Sequence, residues 1–258
     1  MRLLVVIPYY KPATVYGGPT HSVSALCEGL AKSGVQVTVM TTNANGPMRL
    51  DTPLRQPQQV EGVEVIYYPL GTPSLGTLFY SPELIRAARK KIPDYDLIGL
   101  EVMWTSLAYP LSRACQRQKI PYVISLRGQL MPWALRKSRL KKSIYWQVVG
   151  AHYVNGASAL HCTDPVEVST ASQLRLRPPV FVVPNSLNPA RFDTMPARGH
   201  YRRVFGIADE AKVLLFLGRL LPLKRPDIAI GALAKIRQQL GDVHLILAGP
   251  DEGGMGVN

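Results

Sequence analysis

Nine short runs rich in Val, Ile and Leu recur along the chain, mostly separated by stretches long enough for a helix, and no other feature constrains the fold as much. They are LLVVIP (3–8), VQVTVMTT (35–42), VEVIYYP (63–69), YDLIGLE (95–101), PYVISL (121–126), ALHCT (159–163), VFVVP (180–184), KVLLFLG (212–218) and VHLILAG (243–249). Each is apolar on both faces, as a strand must be when helices cover both sides of its sheet. Residues 20–34 supply one such helix: Val23, Leu26, Leu30 and Ala31 repeat at helical spacing, and Gly34 marks its end. The predicted class is α/β, a Rossmann-like parallel sheet with helices on both faces. The segment PMRLDTPLRQPQQVEG (47–62) reads as a Pro-rich surface loop.

The alternation is interrupted once, where Pro184, Pro189 and Pro196 cluster with Asn185, Asn188 and Gly199. Residues 1–190 are expected to form the first domain. Residues 191–258 are expected to form a linker and the beginning of a second Rossmann-like domain. With room for two strands, this second piece is incomplete and cannot close a core alone.

Arg2 followed by Leu3–Ile7 imitates the start of a signal peptide, but Pro8 ends the apolar run too soon, and no 18-residue apolar run suggests a membrane span. Cys27, Cys115 and Cys162 are odd in number and lack CxxC spacing, so neither a disulfide framework nor a zinc site is expected. The adjacent His161 and Cys162 lack further ligands and read as structural. A reducing cytoplasm is the expected compartment. An excess of 30 Lys and Arg over 17 Asp and Glu, net +13, favours phosphates, anionic lipid heads or nucleic acid as neighbours. No RRM or helix-turn-helix pattern supports the last of these.

Two places carry chemistry. Arg219 and Lys224 follow the end of the run 212–218 and precede a helix, where a pair of cations can hold an anion; cations at a strand end also simply mark where the surface begins. Gly17 and Gly18 lie between the first strand and the first helix, with Pro19 suited to the first helical turn. This loop fits an anion or a sugar, or is a plain strand-to-helix turn. It is not G-x-G-x-x-G, which argues against an NAD-dependent Rossmann enzyme.

Five segments in order, GGPTHSVSALCEGLAKSGVQVTVMTT, SLRGQLMPWALRKSRLKK, ALHCTDPVEV, VVPNSLN and FLGRLLPLKRPDIAIGALAKI followed by VHLILAGPDEGG, resemble the family 4 glycosyltransferases of the GT-B fold over nearly the whole chain. The resemblance implies two Rossmann-like domains facing a cleft: an acceptor-side domain at 1–190 and the start of a nucleotide-sugar-binding domain at 191–258. It implies hexosyl transfer from a nucleotide-diphosphate sugar to a glycan or lipid-linked acceptor in polysaccharide or glycolipid synthesis. Anomeric configuration would be retained, without a metal and without a cofactor beyond the donor itself. Arg219 and Lys224 match the family's G-R-L-x-x-x-K pattern, whose cations bind the donor diphosphate, and Gly17 and Gly18 would face the phosphates or the sugar from the other domain.

Arg127, in Arg127-Gly128, stands where many relatives carry a sugar-contacting His. It is the candidate catalytic contact, to donor or acceptor, or else caps its strand end. The family's P-N-G-V-D turn reads Pro184-Asn185-Ser186-Leu187-Asn188, and without its Gly and Asp it is not expected to touch a ligand. The family's E-x7-E pair would lie beyond residue 258, since Asp251 and Glu252 fall in an earlier loop and cannot replace it. The chain therefore reads either as truncated from such an enzyme or as a non-catalytic sugar- or phosphate-binding remnant of one. In WALRKSRLKKSIYWQVVGAHY (133–153), Arg136, Lys137, Arg139, Lys141 and Lys142 crowd beside Trp133, Tyr145 and Trp146. This suits an anionic surface at the inner face of the membrane, or a solvated helix with its aromatics in the core.

Overall fold

A computed structural model of the chain describes residues 1–71, 78–101, 103–136 and 138–251. It divides into two compact units, Met1–Asn188 and Pro189–Asn258. The strands of the first are β1 (Arg2–Val6), β2 (Gln36–Thr42), the small hairpin β3 (Ala44–Asn45) and β4 (Met48–Arg49), β5 (Pro57–Val60), β6 (Val63–Tyr68), β7 (Leu97–Glu101), β8 (Tyr122–Ser125), β9 (Ala159–Cys162) and β10 (Val180–Val182). Eight of them form one sheet in the order β10-β9-β8-β7-β1-β2-β6-β5. Seven run parallel, as their two-sided apolar pattern requires, and only β5 is antiparallel to its neighbour.

Strand β1 shows how the period of two divides the interior. Leu3 and Val5 point into a core shared with Val23, Cys27, Val39 and Val65, whereas Leu4 and Val6 point into one shared with Met40, Leu84, Ile98 and Leu111. Full burial of a side chain such as Leu4 contributes about 2 kcal/mol. The first core lies under α1 (Gly18–Lys32). The second lies under α2 (Pro82–Lys91) and α3 (Ala108–Gln118), the short helices α4 (Pro132–Arg136), α5 (Arg139–Tyr145) and α6 (Ala151–Asn155), and α7 (Pro165–Gln173). A π-helical stretch, Trp146–Gly150, joins α5 to α6.

Local chemistry fixes the helix ends. Ser81 caps α2 through Leu84 N–H at 3.3 Å, Asp164 caps α7 through Val166 N–H at 2.7 Å, and each is followed by Pro at the first helical position. Gly34, with φ of 85°, ends α1 as the sequence predicts.

The segment 47–62 is not wholly a loop. Met48–Arg49 and Pro57–Val60 form strands, the latter pairing with β6 although Pro and two Gln give it little strand propensity. Backbone pairing across a tight turn at Glu61 and Gly62, both with positive φ, overrides that propensity.

In the second unit, α8 (His200–Val204) precedes β11 (Lys212–Leu217), α9 (Pro226–Leu240) and β12 (Val243–Ala248). The two strands pair in parallel. Among its described residues few side chains are buried, Ile207, Ala211 and Leu220 being three of them. The apolar faces of β11 and α9 stay open at Leu215, Leu217, Ile228 and Ile230, with Leu217 79% exposed.

Candidate functional site

In the first unit, a cleft of about 330 Å³ opens at the carboxyl ends of the strands, where parallel α/β sheets place their ligands. Its walls come from four connections: Gly18 and Ser22 after β1, Arg127 and Gly128 after β8, Thr163 and Asp164 after β9, and Asn185 after β10.

Gly17 and Gly18 play separate parts. Gly17 adopts φ 70° and ψ −130°, a conformation open only to glycine, and so turns the chain into α1. Gly18 lines the cleft, and a Cβ there would meet no neighbouring atom within 4 Å, so this side of the first turn of α1 is open. The turn is buttressed by Tyr9 stacked on Tyr16 at 4.1 Å, by the Tyr16 hydroxyl accepting from Gly46 N–H at 2.9 Å, and by Thr20 Oγ1 donating to Ala13 C=O at 3.1 Å. No acidic residue lies in this first turn.

Arg127 follows β8 with φ 45°, and its side chain is only 6% exposed. Its Nε donates to Glu101 Oε2 at 2.6 Å, and its Nη1 donates to Ser22 Oγ at 3.0 Å and to Asn185 Oδ1 at 2.7 Å. The guanidinium thus ties the end of β7, the first helix and the segment after β10 together at the floor of the cleft. Glu101, 5% exposed, also accepts from Ser125 Oγ at 2.8 Å, and Ser125 in turn meets His161 Nδ1 at 3.0 Å. His161 Nε2 lies 2.8 Å from Val183 C=O, and the ring stacks on Phe181. Both ring nitrogens of His161 are therefore engaged within the protein, as its structural reading from the sequence expects.

A second carboxylate closes the opposite wall. Glu167 accepts from Gly128 N–H through Oε1, and from Thr163 N–H at 2.5 Å and Thr163 Oγ1 at 3.0 Å through Oε2. Burial, and after it the negative field of Glu101, pushes the Cys27 thiol on α1 up to about 12.

Sequence reasoning missed Glu101, Glu167 and Ser22. Glu101 had a signal: it is the one charge at the end of an otherwise apolar strand, and β7 lies beside β8 with Glu101 opposite Ser125, two residues from Arg127. Asn185, set aside with its altered turn, lines the cleft and holds Arg127.

Arg219 and Lys224 belong to the second unit. Arg219 is half-buried just past the end of β11, and Lys224 is exposed at the end of the 3-10 turn Pro222–Lys224, ahead of α9. Gly249 packs so tightly on the Gly218 carbonyl that a Cβ there would lie 1.9 Å from the oxygen. Leu220 N–H donates to Pro250 C=O at 2.8 Å, joining the exits of β11 and β12. Arg225 pairs with Asp227 at 2.7 Å. Glu252 and Lys137 lie outside the described residues.

Residues 17–186 match the model of the glycosyl transferase 4-like domain. The D-inositol 3-phosphate glycosyltransferase of Kineococcus radiotolerans is 28% identical over 248 residues, covering 90% of this chain and 55% of that protein. The chain thus spans about half the length of that curated relative. Among solved structures, HepE of Anabaena in complex with UDP and glucose superposes with a TM-score of 0.68 at 20% identity, covering 100% of this chain and 63% of the other. The catalytic domain of starch synthase IV from Arabidopsis thaliana, bound to ADP and acarbose, does so with a TM-score of 0.66 at 12% identity, covering 96% and 68%. These likenesses show the fold. The family match runs from the Gly17 turn past Arg127 to the Asn185 segment, and on that ground the chain belongs to the glycosyl transferase 4-like family.

Proposed function

We propose that the chain carries the acceptor side and part of the donor side of an enzyme that transfers a hexosyl group from a nucleotide-diphosphate sugar to a glycan or lipid-linked acceptor. The observation that carries this reading is the cleft in the first unit, where the open N-terminal turn of α1 at Gly18 and the Arg127 guanidinium border one space of ligand size. Structural neighbours bound to UDP and UDP-glucose support a nucleotide-sugar donor.

In this reading the anomeric carbon loses its bond to the diphosphate oxygen and gains one to the acceptor hydroxyl oxygen on the same face of the sugar. The acceptor proton leaves with the diphosphate. Arg219 and Lys224 supply fixed positive charge to the leaving group, whose negative charge grows in the transition state, so neither a metal nor a further cofactor is required. Gly17 sets the turn through which α1 meets the phosphates or the sugar, and Arg127 contacts the donor or acceptor. The reaction belongs to polysaccharide or glycolipid synthesis at the cytoplasmic face of a membrane, with the enzyme held there peripherally. Among the described residues, no helix is long and apolar enough to cross a membrane.

Incubation with UDP-glucose and its ADP and GDP counterparts, with release of the free nucleotide as readout, tests this proposal. Arg219→Ala and Lys224→Ala should each lower turnover roughly 100-fold while weakening donor binding less. Lys224→Arg should restore only part of the loss, because a planar fork does not replace a compact ammonium. Donor binding without turnover would favour a non-catalytic remnant, and unchanged kcat in both Ala variants would leave these cations as surface charges.

A further inference from the structure

A pocket of about 590 Å³ opens at the amino ends of the strands, the opposite end of the sheet from the cleft. Three connections build it, and each leads into one of three neighbouring strands. The carboxyl-terminal half of α3 precedes β8 and brings Arg113 and Gln116. The end of α6 precedes β9 and brings His152, Asn155 and Gly156, and the segment after α7 precedes β10 and brings Arg177. The volume suits a small molecule rather than a bare ion.

A hydrogen-bonded frame holds the walls. Gln116 Nε2 donates to the Tyr122 hydroxyl at 3.0 Å, and that hydroxyl donates to Tyr153 C=O at 2.6 Å. Gly156 leaves room for this link, since a Cβ there would lie 2.0 Å from Gln116 Nε2. Asn155 Oδ1 accepts from Arg177 N–H at 2.9 Å, which leaves the Asn155 amide nitrogen as a donor. Arg113 Nη1 donates to Gln116 Oε1 at 3.3 Å and lies 3.1 Å from His152 Nε2.

What the frame lacks is negative charge. Residues 102–163 and 168–192, which supply every wall, contain no Asp or Glu. Among the described residues, no carboxylate pairs with Arg113 or Arg177. Two guanidinium groups, an imidazole that is either neutral or cationic, and an amide donor therefore border one concavity with no anion among them. Guanidinium forks match pairs of phosphate oxygens, and amide groups suit hydroxyls.

We propose that this pocket binds a phosphate monoester of a small polyhydroxylated molecule, with the phosphate between Arg113, His152 and Arg177 and the hydroxyl-bearing body beside Asn155. Strands β8 and β9 run from this pocket to the Arg127 and Thr163 connections at the cleft, so the two sites lie at opposite ends of the same strands. The proposal goes beyond the transferase reading and does not depend on it.

Calorimetric titration of the whole chain with glucose 6-phosphate, inorganic phosphate and glucose tests the proposal. Glucose 6-phosphate is expected to bind most tightly, inorganic phosphate about threefold more weakly or worse, and glucose not at all. Arg113→Gln with Arg177→Gln should weaken glucose 6-phosphate binding roughly tenfold. Lys32→Gln with Lys212→Gln, which removes the same charge elsewhere, should change it by less than about twofold. Amide NMR shifts in the unaltered chain locate the site without any substitution: on addition of glucose 6-phosphate they should centre on Asn155, Gly156 and Arg177 and leave Gly18 and Gly128 unmoved. Absence of glucose 6-phosphate binding, equal affinity for inorganic phosphate, equal losses from the two variant pairs, or shifts centred on Gly18 and Gly128 would overturn the proposal.

Discussion

Glu101 and Arg127 form an ion pair, Oε2 to Nε at 2.6 Å, that is almost wholly shielded from water and joins the ends of two neighbouring parallel strands. It connects two of the chain's connections to one another and so sets the floor of the cleft. Removing one partner strands the other charge in a poorly solvated place. Glu101→Gln is expected to lower stability by about 3 kcal/mol. Replacing both residues with Met should cost less than the sum of the single replacements. Urea denaturation of the single and double variants checks this, and strict additivity would show that the pair acts as two independent contacts.

The two glycines at the start of α1 should respond oppositely to alanine. Gly17→Ala places a Cβ on a backbone at φ 70°, ψ −130° and should cost about 2 kcal/mol. Gly18→Ala meets open space and should change stability by no more than about 0.5 kcal/mol. Because Gly18 faces the cleft, its substitution should instead weaken binding of UDP-glucose. Thermal melts and titration of the two variants separate these effects, and equal destabilisation would remove the distinction.

Alkaline pH should destabilise the fold through its thiols. Burial pushes Cys27 and Cys115 up to about 12 and Cys162 up to about 11. Unfolded thiols titrate near 8.5, so above about that pH the folded state holds more protons than the unfolded one. The stabilisation is complete below about pH 8.5 and is lost as pH rises through the folded values. Urea midpoints should fall steadily above about pH 9. A thiol reagent should find the described cysteines silent in folded protein and reactive after unfolding, since all three are buried. A midpoint that rises with pH in that range would contradict the linkage.

The strands that carry the fold were legible because nearly all are dense runs of β-branched and aliphatic residues, down to the three-residue β10. Strand β5 was not, because Pro57, Gln58 and Gln59 have no strand propensity of their own and depend on β6 for pairing. The glycine turn and Arg127 could be named from the sequence. Their pairing with Ser22, Glu101 and Asn185 could not, because these residues are far apart along the chain and only strand order brings them together. The basic helix shows a subtler limit. Its composition leaves open whether the aromatics flank a surface or enter the core, and the fold turns Tyr145 and Trp146 inward onto Trp104 while Leu140, Ile144 and Val148 stay exposed.

The one antiparallel strand of the eight-stranded sheet also bears on solubility. A parallel sheet ending at β6 would present Val63, Val65 and Tyr67 next to a row of unpaired backbone groups, a template onto which another chain could add. Strand β5 occupies that row with only four residues, beginning at a proline that cannot donate and continuing with two glutamines, and Gln58 donates its amide to Pro53 C=O at 2.7 Å. The stretch that looked least like a strand thus blunts that margin of the sheet against edge-to-edge polymerisation.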